Sequence, residues 1–339
     1  MIKVYDSNKN FIALLDSCRN LHTTETLDTG LKTLCFQVPC LEKYLEIIQE
    51  ENYVITADAE YVIKEIKNKT NDFFTVYCSA NVENLTGKLF PIFDCFELSL
   101  KQAYEYCVSN SNWAVEYLSK DKSIATYQTK NVNAFEMINS IAEDFNQELW
   151  FDTKNKKLKI YDKMGDSLGA YYSNELRLKQ LVKQSSSYDY ATVLLPIGKD
   201  GLTISSVNNG SPYLENFSYT NKYIEKVWVN EEIDIPEKLK MMAEEYLNSI
   251  AVPRASYKLT VSELGKNVSL GDEVIIVDNI KRIKQKQRVV KIVRYPASPE
   301  KDMLEISNLQ VDFTKMFIKN QKNTEKEIKY LKELYKSLK

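Results

Sequence analysis

The stretch IGKDGLTISSVNNGSPYLEN, Ile197–Asn216, is rich in turn residues, and its interpretation decides the fold. It follows a short apolar run, Ala191–Ile197, and contains LTISSV, Leu202–Val207, which alternates apolar and small polar residues. Asp200-Gly201 between two such runs predicts a β-hairpin, because both turn residues tolerate a positive φ. The stretch therefore predicts strands and turns, and the regions around it show which fold they build.

The pair Gly198-Lys199 offers a second interpretation, a phosphate-binding loop. Such a loop needs the pattern G-x-x-x-x-G-K-[ST] at the start of a helix. Here Lys199 is followed by Asp200, and the next residues read as a strand. The turn is therefore favoured over a nucleotide site.

Composition indicates an ordinary globular protein. The 339 residues are enough for two or three domains, with 44% hydrophobic and 27% charged residues. A net charge of −2 gives no reason to expect specific nucleic-acid binding or an anionic membrane partner. No apolar run approaches the ~20 residues of a membrane helix, so membrane insertion is not expected. The N-terminus begins with an alternating strand pattern and has no signal-peptide core.

Residues that could carry catalysis are few. The six cysteines, at 18, 35, 40, 78, 95 and 107, form no C-x-x-C pair and favour buried reduced thiols over a zinc site. The single histidine, His22, lies in a polar, turn-like stretch without a nucleophile motif. We therefore expect no catalytic residue, no bound metal and no cofactor.

The chain changes character along its length. Residues 1–92 read as all-β, and residues 93 to about 175 mix helices and strands. Asn133 and Glu136 form a capping-box pattern at the start of one helix, and Glu148–Lys163 predicts a hairpin. After residue 180 the β pattern returns, interrupted by a helix with Pro236 in its first turn.

A weak internal repeat accompanies this order. The segments YVIT, YVIKEI and FTVYC in the first β region resemble EVIIV, RVVKIV and LEIS in the last, with Lys64 and Lys291 in equivalent places. The repeat predicts two related antiparallel β-barrels in one chain.

The last 27 residues, Phe313–Lys339, predict one long basic helix. Its apolar positions follow a 4-3 spacing that is typical of a coiled-coil seam. The seam residues are Phe317, Gln321, Thr324, Ile328, Leu331, Tyr335 and Leu338. Isoleucine at a and leucine at d would by themselves favour a dimer. The alternative is an amphipathic helix that lies on its own domain.

The order of motifs resembles a known family. GKDGLTISSVNNGSPYLEN, then KMMAEEYLNS, VSLGDEVIIVD and RVVKIVRYP, is similar to the tail-tip hub proteins of bacteriophages, the tail-associated or prophage endopeptidase tail family. The resemblance covers most of the chain and is sharpest between residues 190 and 310.

The resemblance implies an α+β fold that is mainly β, with a specific division of the chain. It places barrel one at 1–92, an inserted α+β domain at 93–178 and 211–255, barrel two at 179–210 and 256–312, and the helix at 313–339. It further implies a homotrimer whose six barrels match a six-fold tail tube, close the tube end and open for the genome. The implied partners are a distal tail or tail-tube protein, a tape measure protein, and a tail fibre or tip protein. The implied location is the virion tail tip, assembled in the bacterial cytoplasm.

Larger family members carry a hydrolase or fibre-like extension, whereas this sequence ends after the helix at Lys339. The resemblance therefore implies a structural role without enzymatic activity. Two alternatives stay open, a peptidoglycan hydrolase and a cell-wall carbohydrate-binding protein. Zymography on peptidoglycan would reveal the first. A cluster of exposed aromatic residues on one face would favour the second.

Overall fold

The computed structural model describes residues 2–307 except 17, 42, 43, 45, 46, 71, 110, 168, 169, 174, 188, 189, 232, 262–267, 281 and 282. This part of the chain forms two compact units, one of residues 2–181 and 258–306 and one of residues 182–257 and 307. The predicted C-terminal helix lies outside the described residues. Within them, every helix falls short of the length and apolar character that a membrane span requires.

The elements follow one another in three stretches. Residues 2–80 contain β1 (Ile2–Tyr5), β2 (Phe11–Leu15), β3 (Arg19–Thr26), β4 (Leu31–Pro39), β5 (Tyr53–Ile55), β6 (Glu60–Thr70) and β7 (Phe73–Ala80). Residues 83–161 contain α1 (Glu83–Thr86), β8 (Leu89–Ser99), α2 (Leu100–Val108), β9 (Ala114–Tyr117), β10 (Ile124–Asn133), α3 (Ala134–Asp144), β11 (Glu148–Asp152) and β12 (Lys157–Tyr161). Residues 170–307 contain β13 (Ala170–Ser173), β14 (Leu178–Ser186), β15 (Val193–Ile197), β16 (Leu214–Glu215), β17 (Glu225–Val229), α4 (Pro236–Ile250), β18 (Arg254–Val261), β19 (Glu273–Asp278), β20 (Ile283–Arg294) and β21 (Met303–Ser307). Short 3₁₀ turns occur at Lys199–Gly201, Ser205–Val207 and Pro299–Lys301.

The fold is mainly β, as predicted. One 13-stranded sheet has the order β14-β18-β21-β20-β3-β4-β7-β6-β5-β1-β2, and β19 pairs with both β20 and β13. Among the described strands this order does not close on itself, so the two barrels stay a prediction.

The predicted internal repeat agrees with the strand order. The order β3-β4-β7-β6-β5 in the first repeat, residues 2–80, returns as β14-β18-β21-β20-β19 in the second repeat, residues 170–186 and 254–307. Between β14 and β18 the second repeat contains the whole insertion 187–253, where the first repeat has only a short turn between β3 and β4.

Backbone hydrogen bonds fix how the two repeats correspond. Ile63 donates to the Asn52 carbonyl and accepts from the Glu51 N–H, at 2.9 and 2.8 Å. Val289 makes the same pair of bonds to Asp272 and Gly271, both at 2.8 Å. Glu51 and Gly271 also share a positive φ, 68° and 87°. This correspondence aligns Ile63 with Val289. A β-bulge in β6 follows directly, between Ile63 and Glu65, so the equivalence of Lys64 and Lys291 stays a prediction.

The middle stretch, residues 83–161, packs helices α2 and α3 against two small sheets. The first sheet pairs β8 with β10, and the second has the order β11-β12-β9. Their shared core is large and apolar, and it includes Phe93, Tyr104, Ile138, Ile141, Phe151 and Ile160. The predicted capping box is confirmed: the Asn133 side chain accepts from the Glu136 N–H at 2.8 Å, and the Glu136 carboxylate accepts from the Asn133 N–H. The predicted hairpin is also confirmed, as β11 and β12.

The second unit, residues 182–257, differs from the hairpin predicted for Ala191–Val207. Asp200 and Gly201 do form a turn with positive φ, 54° and 80°. The residues after it are not a strand, because both sides of β15 are already occupied by β16 and by β17. Ile204 instead enters the apolar core formed with α4 and is fully buried. The same unit thus holds 191–210 and 211–255. The assignment of these segments to a barrel and to an inserted domain stays a prediction.

Strand β11 meets the first repeat at the turn between β3 and β4. The Phe151 N–H donates to the Gly30 carbonyl at 2.9 Å, and the Glu60 N–H donates to the Thr153 hydroxyl at 2.9 Å. A Cβ on Gly30 would lie 2.0 Å from the Leu149 carbonyl oxygen. The turn therefore needs glycine here both for its positive φ of 62° and for this close approach.

We expect Gly30→Ala to lower the free energy of unfolding by clearly more than Gly201→Ala. Gly201 has a similar positive φ of 80° but nothing within 4 Å of its missing Cβ. Gly201→Ala should therefore lower the free energy of unfolding only by the cost of placing alanine in the left-handed conformation, ~1–2 kcal/mol. Gly30→Ala adds a clash with the backbone to this cost. Urea unfolding of both variants measures the difference. An equal loss of unfolding free energy in the two variants would show that the turn at Gly30 moves away from β11 without a cost in stability.

Candidate functional site

A buried polar site lies where β11 meets the second repeat. Arg288 on β20 donates from Nη1 and Nη2 to the two carboxylate oxygens of Glu148 on β11, both at 2.6 Å. Both residues are buried, with 8% and 9% of their surface exposed. The planar guanidinium matches a carboxylate in this two-bond arrangement, which fixes the orientation of both strands.

The remaining polar atoms of this ion pair are also bonded. Arg288 Nε donates to the Gly271 carbonyl at 2.9 Å, and Nη2 donates to the Met164 carbonyl. The Met164 N–H donates back to Glu148 at 2.6 Å. We call these residues, Glu148, Met164, Gly271 and Arg288, the clasp. Because each buried charge has its hydrogen bonds, the clasp avoids the cost of a buried unpaired charge.

The loop after β12 lies directly against the second repeat. Asp272 accepts from the Asp166 N–H at 2.7 Å and from the Ser269 N–H at 2.8 Å. The Glu273 N–H donates to the Asp166 carbonyl at 2.9 Å. The backbones of Gly165 and Gly271 approach so closely that a Cβ on Gly165 would lie 2.2 Å from the Gly271 carbonyl carbon. The clasp and this loop together join the middle stretch to the second repeat.

The two repeats also join each other through their own strands. The second half of β20 pairs antiparallel with β3, from Lys291 opposite Thr26 to Arg294 opposite Thr23. Here His22, expected in a turn, lies in strand β3 instead, with its ring 4.8 Å from that of Tyr295. Its Nδ1 is 2.8 Å from the Asn20 carbonyl oxygen. The histidine is thus a packing residue of the joint between the repeats.

The cysteines have the environment of structural thiols. All six are free, and Cys78, Cys95 and Cys107 are buried. Burial raises the pKa of Cys18 and of Cys35 to about 11, and it raises the pKa of Cys107 to about 12. Thiolates are therefore disfavoured near neutral pH. Within the described residues no group of three His, Cys, Asp or Glu side chains could hold a metal ion.

The Gly198-Lys199 pair forms no phosphate cradle in the structure. The Lys199 N–H already donates to the Ile233 carbonyl at 2.8 Å, and the Gly198 N–H donates to the Leu202 carbonyl at 2.7 Å. The segment is a 3₁₀ turn and does not begin an α-helix. These N–H groups are therefore occupied by the turn itself.

The second unit exposes a group of aromatic side chains. Phe217 stacks on Tyr223 with ring centroids 6.4 Å apart, and Tyr190 meets Tyr219 edge to face at 6.1 Å. Tyr219 and Tyr223 are 62% and 60% exposed. We call Phe217, Tyr219 and Tyr223 the aromatic group. Polar residues separate its members in the sequence, so no periodic pattern marks them.

The first unit exposes apolar side chains on the β8–β10 pair. Phe96, Leu89, Ile124 and Ile92 have 69%, 67%, 63% and 59% of their surface exposed, while Phe93 and Cys95 on the same strand are buried. Exposed apolar residues in such number are typical of surfaces that contact other proteins.

The predicted coiled-coil seam, Phe317, Thr324, Ile328, Leu331, Tyr335 and Leu338, lies outside the described residues. It stays a prediction.

Comparison with protein-family models matches each of the two repeats to a known domain. The sequence matches the prophage endopeptidase tail over residues 170–317 and the prophage endopeptidase tail N-terminal domain over residues 2–80. No curated protein sequence matches the chain significantly.

Three solved structures share the fold. Prophage tail protein gp18 from Listeria monocytogenes EGD-e has a TM-score of 0.67 at 13% identity, over 95% of this chain and 98% of its own. A tail protein from Neisseria meningitidis MC58 has a TM-score of 0.64 at 9% identity, over 90% and 95%. The prophage MuSo2 43 kDa tail protein from Shewanella oneidensis has a TM-score of 0.64 at 13% identity, over 90% and 96%.

We expect Arg288→Met to lower the free energy of unfolding by ~3–5 kcal/mol, because it leaves the Glu148 carboxylate buried without its partner. Adding Glu148→Gln should restore part of this loss, since the amide oxygen still accepts from the Met164 N–H and no charge remains. Urea unfolding monitored by tryptophan fluorescence measures both variants.

Lys101→Met is the matched control for the clasp. Its exposed ion pair with Glu105 spans 3.8 Å on the surface of α2. Losing it should cost at most ~0.5 kcal/mol. If Arg288→Met cost no more than this control, the clasp would not hold the first unit together.

Proposed function

The chain belongs to the prophage endopeptidase tail family, and from this membership we propose that it is the structural hub of a phage or phage-like tail tip. In this proposal the chain forms a homotrimer that caps the tail tube. The trimer adapts the tube to the components of the tip and opens for passage of the genome.

The strand order that occurs twice in the chain is the observation that supports this proposal. One chain contains the order β3-β4-β7-β6-β5 and its counterpart in the second repeat, joined edge to edge through β20 and β3. Three such chains supply six related β units, which is the number that a six-fold tube requires. The clasp and the Gly30 contact support a rigid arrangement, because β11 is bonded to both repeats.

The proposed partners follow from this position. A distal tail or tail-tube protein and the tape measure protein would contact the hub on the tube side, and a tail fibre or tip protein on the other. The exposed apolar residues of β8 and β10 offer one protein-contact surface. The segment 313–339 is the proposed docking point for the next tip component, and its seam would strengthen the trimer. The proposed location is the virion tail tip, after assembly in the host cytoplasm.

We propose that the chain acts without enzymatic activity, although the family name refers to an endopeptidase. His22 packs on Tyr295 in the joint between the repeats, and burial keeps the thiol pKa values high. These residues have structural surroundings, so neither resembles an activated nucleophile or its base.

A second candidate function is recognition of a cell-wall carbohydrate by the second unit. The observation that favours it is the aromatic group, whose exposed rings offer flat apolar faces to a sugar. Asn216 lies beside Phe217 in the sequence, and its amide donates to the Asn248 side chain at 2.8 Å. This binding would act together with the hub role.

We expect the purified chain to have the mass of a trimer by light scattering at high concentration. Leu331→Asp with Leu338→Asp should lower the concentration-dependent mass, because it places charge in the predicted seam. The matched control is Lys332→Asp with Lys336→Asp, which changes charge in the same segment outside the seam. A stable dimer would contradict the trimer. An equal loss of mass in both double variants would contradict the seam.

We expect Tyr219→Ala with Tyr223→Ala to reduce binding to cell-wall polysaccharide by at least tenfold if the second unit recognises glycans. Glycan-array and sedimentation measurements with the full chain report this change. Tyr171→Ala, which removes a 41% exposed tyrosine from β13, should leave binding unchanged. Absence of binding by the unsubstituted chain would remove this candidate function.

A further inference from the structure

The three-stranded sheet of the second unit packs on α4 with one face and exposes apolar side chains on the other. We propose that this exposed face is a docking site for the C-terminal segment of the same chain, residues 313–339. The inference goes beyond the proposed hub role, because it concerns the single chain before a trimer takes up the same segment as its seam.

The strand register decides which side chains share the exposed face. On the covered face Leu194 enters the core with α4, and Trp228 stacks on Tyr246 of α4 with ring centroids 5.6 Å apart. Successive residues of a strand point to opposite faces, so the other face carries the alternate residues of β15 and β17. We call it the open face, and it consists of Leu195, Ile197, Val227 and Val229.

The open face is apolar and accessible along β17. Val227 and Val229 are 55% and 54% exposed, although both lie within a strand. Leu195 and Ile197, their partners on β15, are half-buried. Among the described strands β17 pairs with β15 alone, so the open face ends at the edge of the sheet. Apolar exposure that is clustered in this way is typical of a contact surface.

Acidic side chains lie at one end of the open face. Glu225 at the start of β17 and Glu215 on β16 are both opposite Val193 of β15, one on each side. Both glutamates are exposed. Lys226, the next residue of β17, is directed to the covered face, where its Nζ lies 5.5 Å from the ring centroid of Tyr246. The open face therefore has a negative border at this end.

The other end of β17 is also followed by acidic residues. Glu231 and Asp234 come shortly after the strand, and both are exposed. An apolar centre with acidic residues at both ends is complementary to a basic amphipathic partner.

The sequence of the C-terminal segment has this chemistry. Residues 314–339 contain eight lysines and three glutamates, which gives a net charge of +5. In the predicted helix Leu334 takes position g, beside the seam residues Leu331, Tyr335 and Leu338. Apolar residues at a, d and g form a stripe of the width with which helices pack on a domain, wider than a strict a/d seam. Lys332 at position e borders this stripe.

The chain also leads into this segment from the second unit. Ser307, the last described residue, belongs to that unit. The residues from 308 to Phe317, the first seam residue, can span ~33 Å when extended. A unit of this size has a radius of gyration of ~11 Å, so the segment can reach any side of it.

The apolar side chains of β8 and β10 are the alternative acceptor for the segment. Asp94 and Lys130 are both exposed on these strands, so the charges there are mixed. Mixed charges give no preference for a basic partner, and the two strands belong to the first unit. The open face is therefore favoured.

Docking and the predicted seam use the same stripe, so they exclude each other. The single chain keeps the stripe covered on its own second unit, and the three segments exchange this contact for the seam when a trimer forms.

Cysteine crosslinking in the full-length chain tests the docking. Val227→Cys is combined in turn with Ile328→Cys, Leu331→Cys or Tyr335→Cys, and the three positions allow for the register of the helix on the sheet. After oxidation of dilute protein we expect an intrachain product at one or two of these positions, at least fivefold above the controls. Mass spectrometry of linked peptides identifies the product. Its yield should fall as light scattering shows trimer mass at higher concentration.

Two matched controls accompany these pairs. Met241→Cys replaces Val227→Cys, because Met241 is 63% exposed on α4, on the covered side of the same sheet. Lys326→Cys replaces the stripe positions, because it lies on the opposite side of the predicted helix. Chains with only the native cysteines give the background.

The outcomes separate the docking from the proposed trimer. Trimer mass without an intrachain product above the controls at any concentration would overturn the docking and leave the trimer standing. Monomeric mass with the product would do the reverse. A product that keeps its yield while the trimer forms would overturn the exchange with the seam.

Two further results would assign the segment elsewhere. A Val227→Cys product that joins two differently tagged copies would give the open face to a neighbouring chain and overturn docking within one chain. A larger product with Ile92→Cys on β8 in place of Val227→Cys would give the segment to the apolar surface of β8 and β10 and overturn the inference as well.

Discussion

The paired charges of Glu148 and Arg288 are the contact on which the first unit depends. Bringing two charges out of water is costly, and only two parallel hydrogen bonds with full satisfaction of the remaining atoms offset that cost. Here the Met164 and Gly271 backbone groups provide that satisfaction. Such a pair tolerates little displacement, so it fixes β11 to β20 in one geometry. The opposite end of β11 is fixed by the bond from Phe151 to Gly30. One five-residue strand thereby holds the middle stretch to both repeats.

The second unit has its place in the chain order as an insertion. It occupies the connection between β14 and β18, where the first repeat makes a short turn through Gly30. An insertion at a turn leaves the strand order of the repeat unchanged, because the two flanking strands still meet as neighbours. The insertion can therefore carry its own core around α4, with Leu239, Ala243 and Leu247 buried, and its own exposed aromatic residues.

Much of the fold could be predicted from local patterns, and the failures have physical causes. The capping box at Asn133 and the turn at Asp200-Gly201 were readable because each depends on residues within a few positions. The prediction of a strand at Leu202–Val207 was wrong, because β15 pairs instead with β16 and β17, which lie farther along the chain. Likewise the clasp joins residues 140 positions apart, so no local pattern could reveal it. A buried Glu or Arg looks like any surface charge in sequence, and the aromatic group has no period that would mark it.

The weakness of the sequence repeat has a structural explanation of its own. The backbone pattern around Ile63 and Val289 is the same, yet the residues that surround it differ in chemistry. In the first repeat Asn52 donates to the Ile47 carbonyl, within its own strand connection. In the second repeat Asp272 accepts from the Asp166 and Ser269 N–H groups, because the loop after β12 lies against this repeat. Close backbone approach makes glycine necessary at 271, while Glu51 adopts a positive φ with its side chain 59% exposed. The hydrogen-bonded backbone pattern is thus the same in both repeats, while the side chains around it differ, which makes the repeat weak in the sequence.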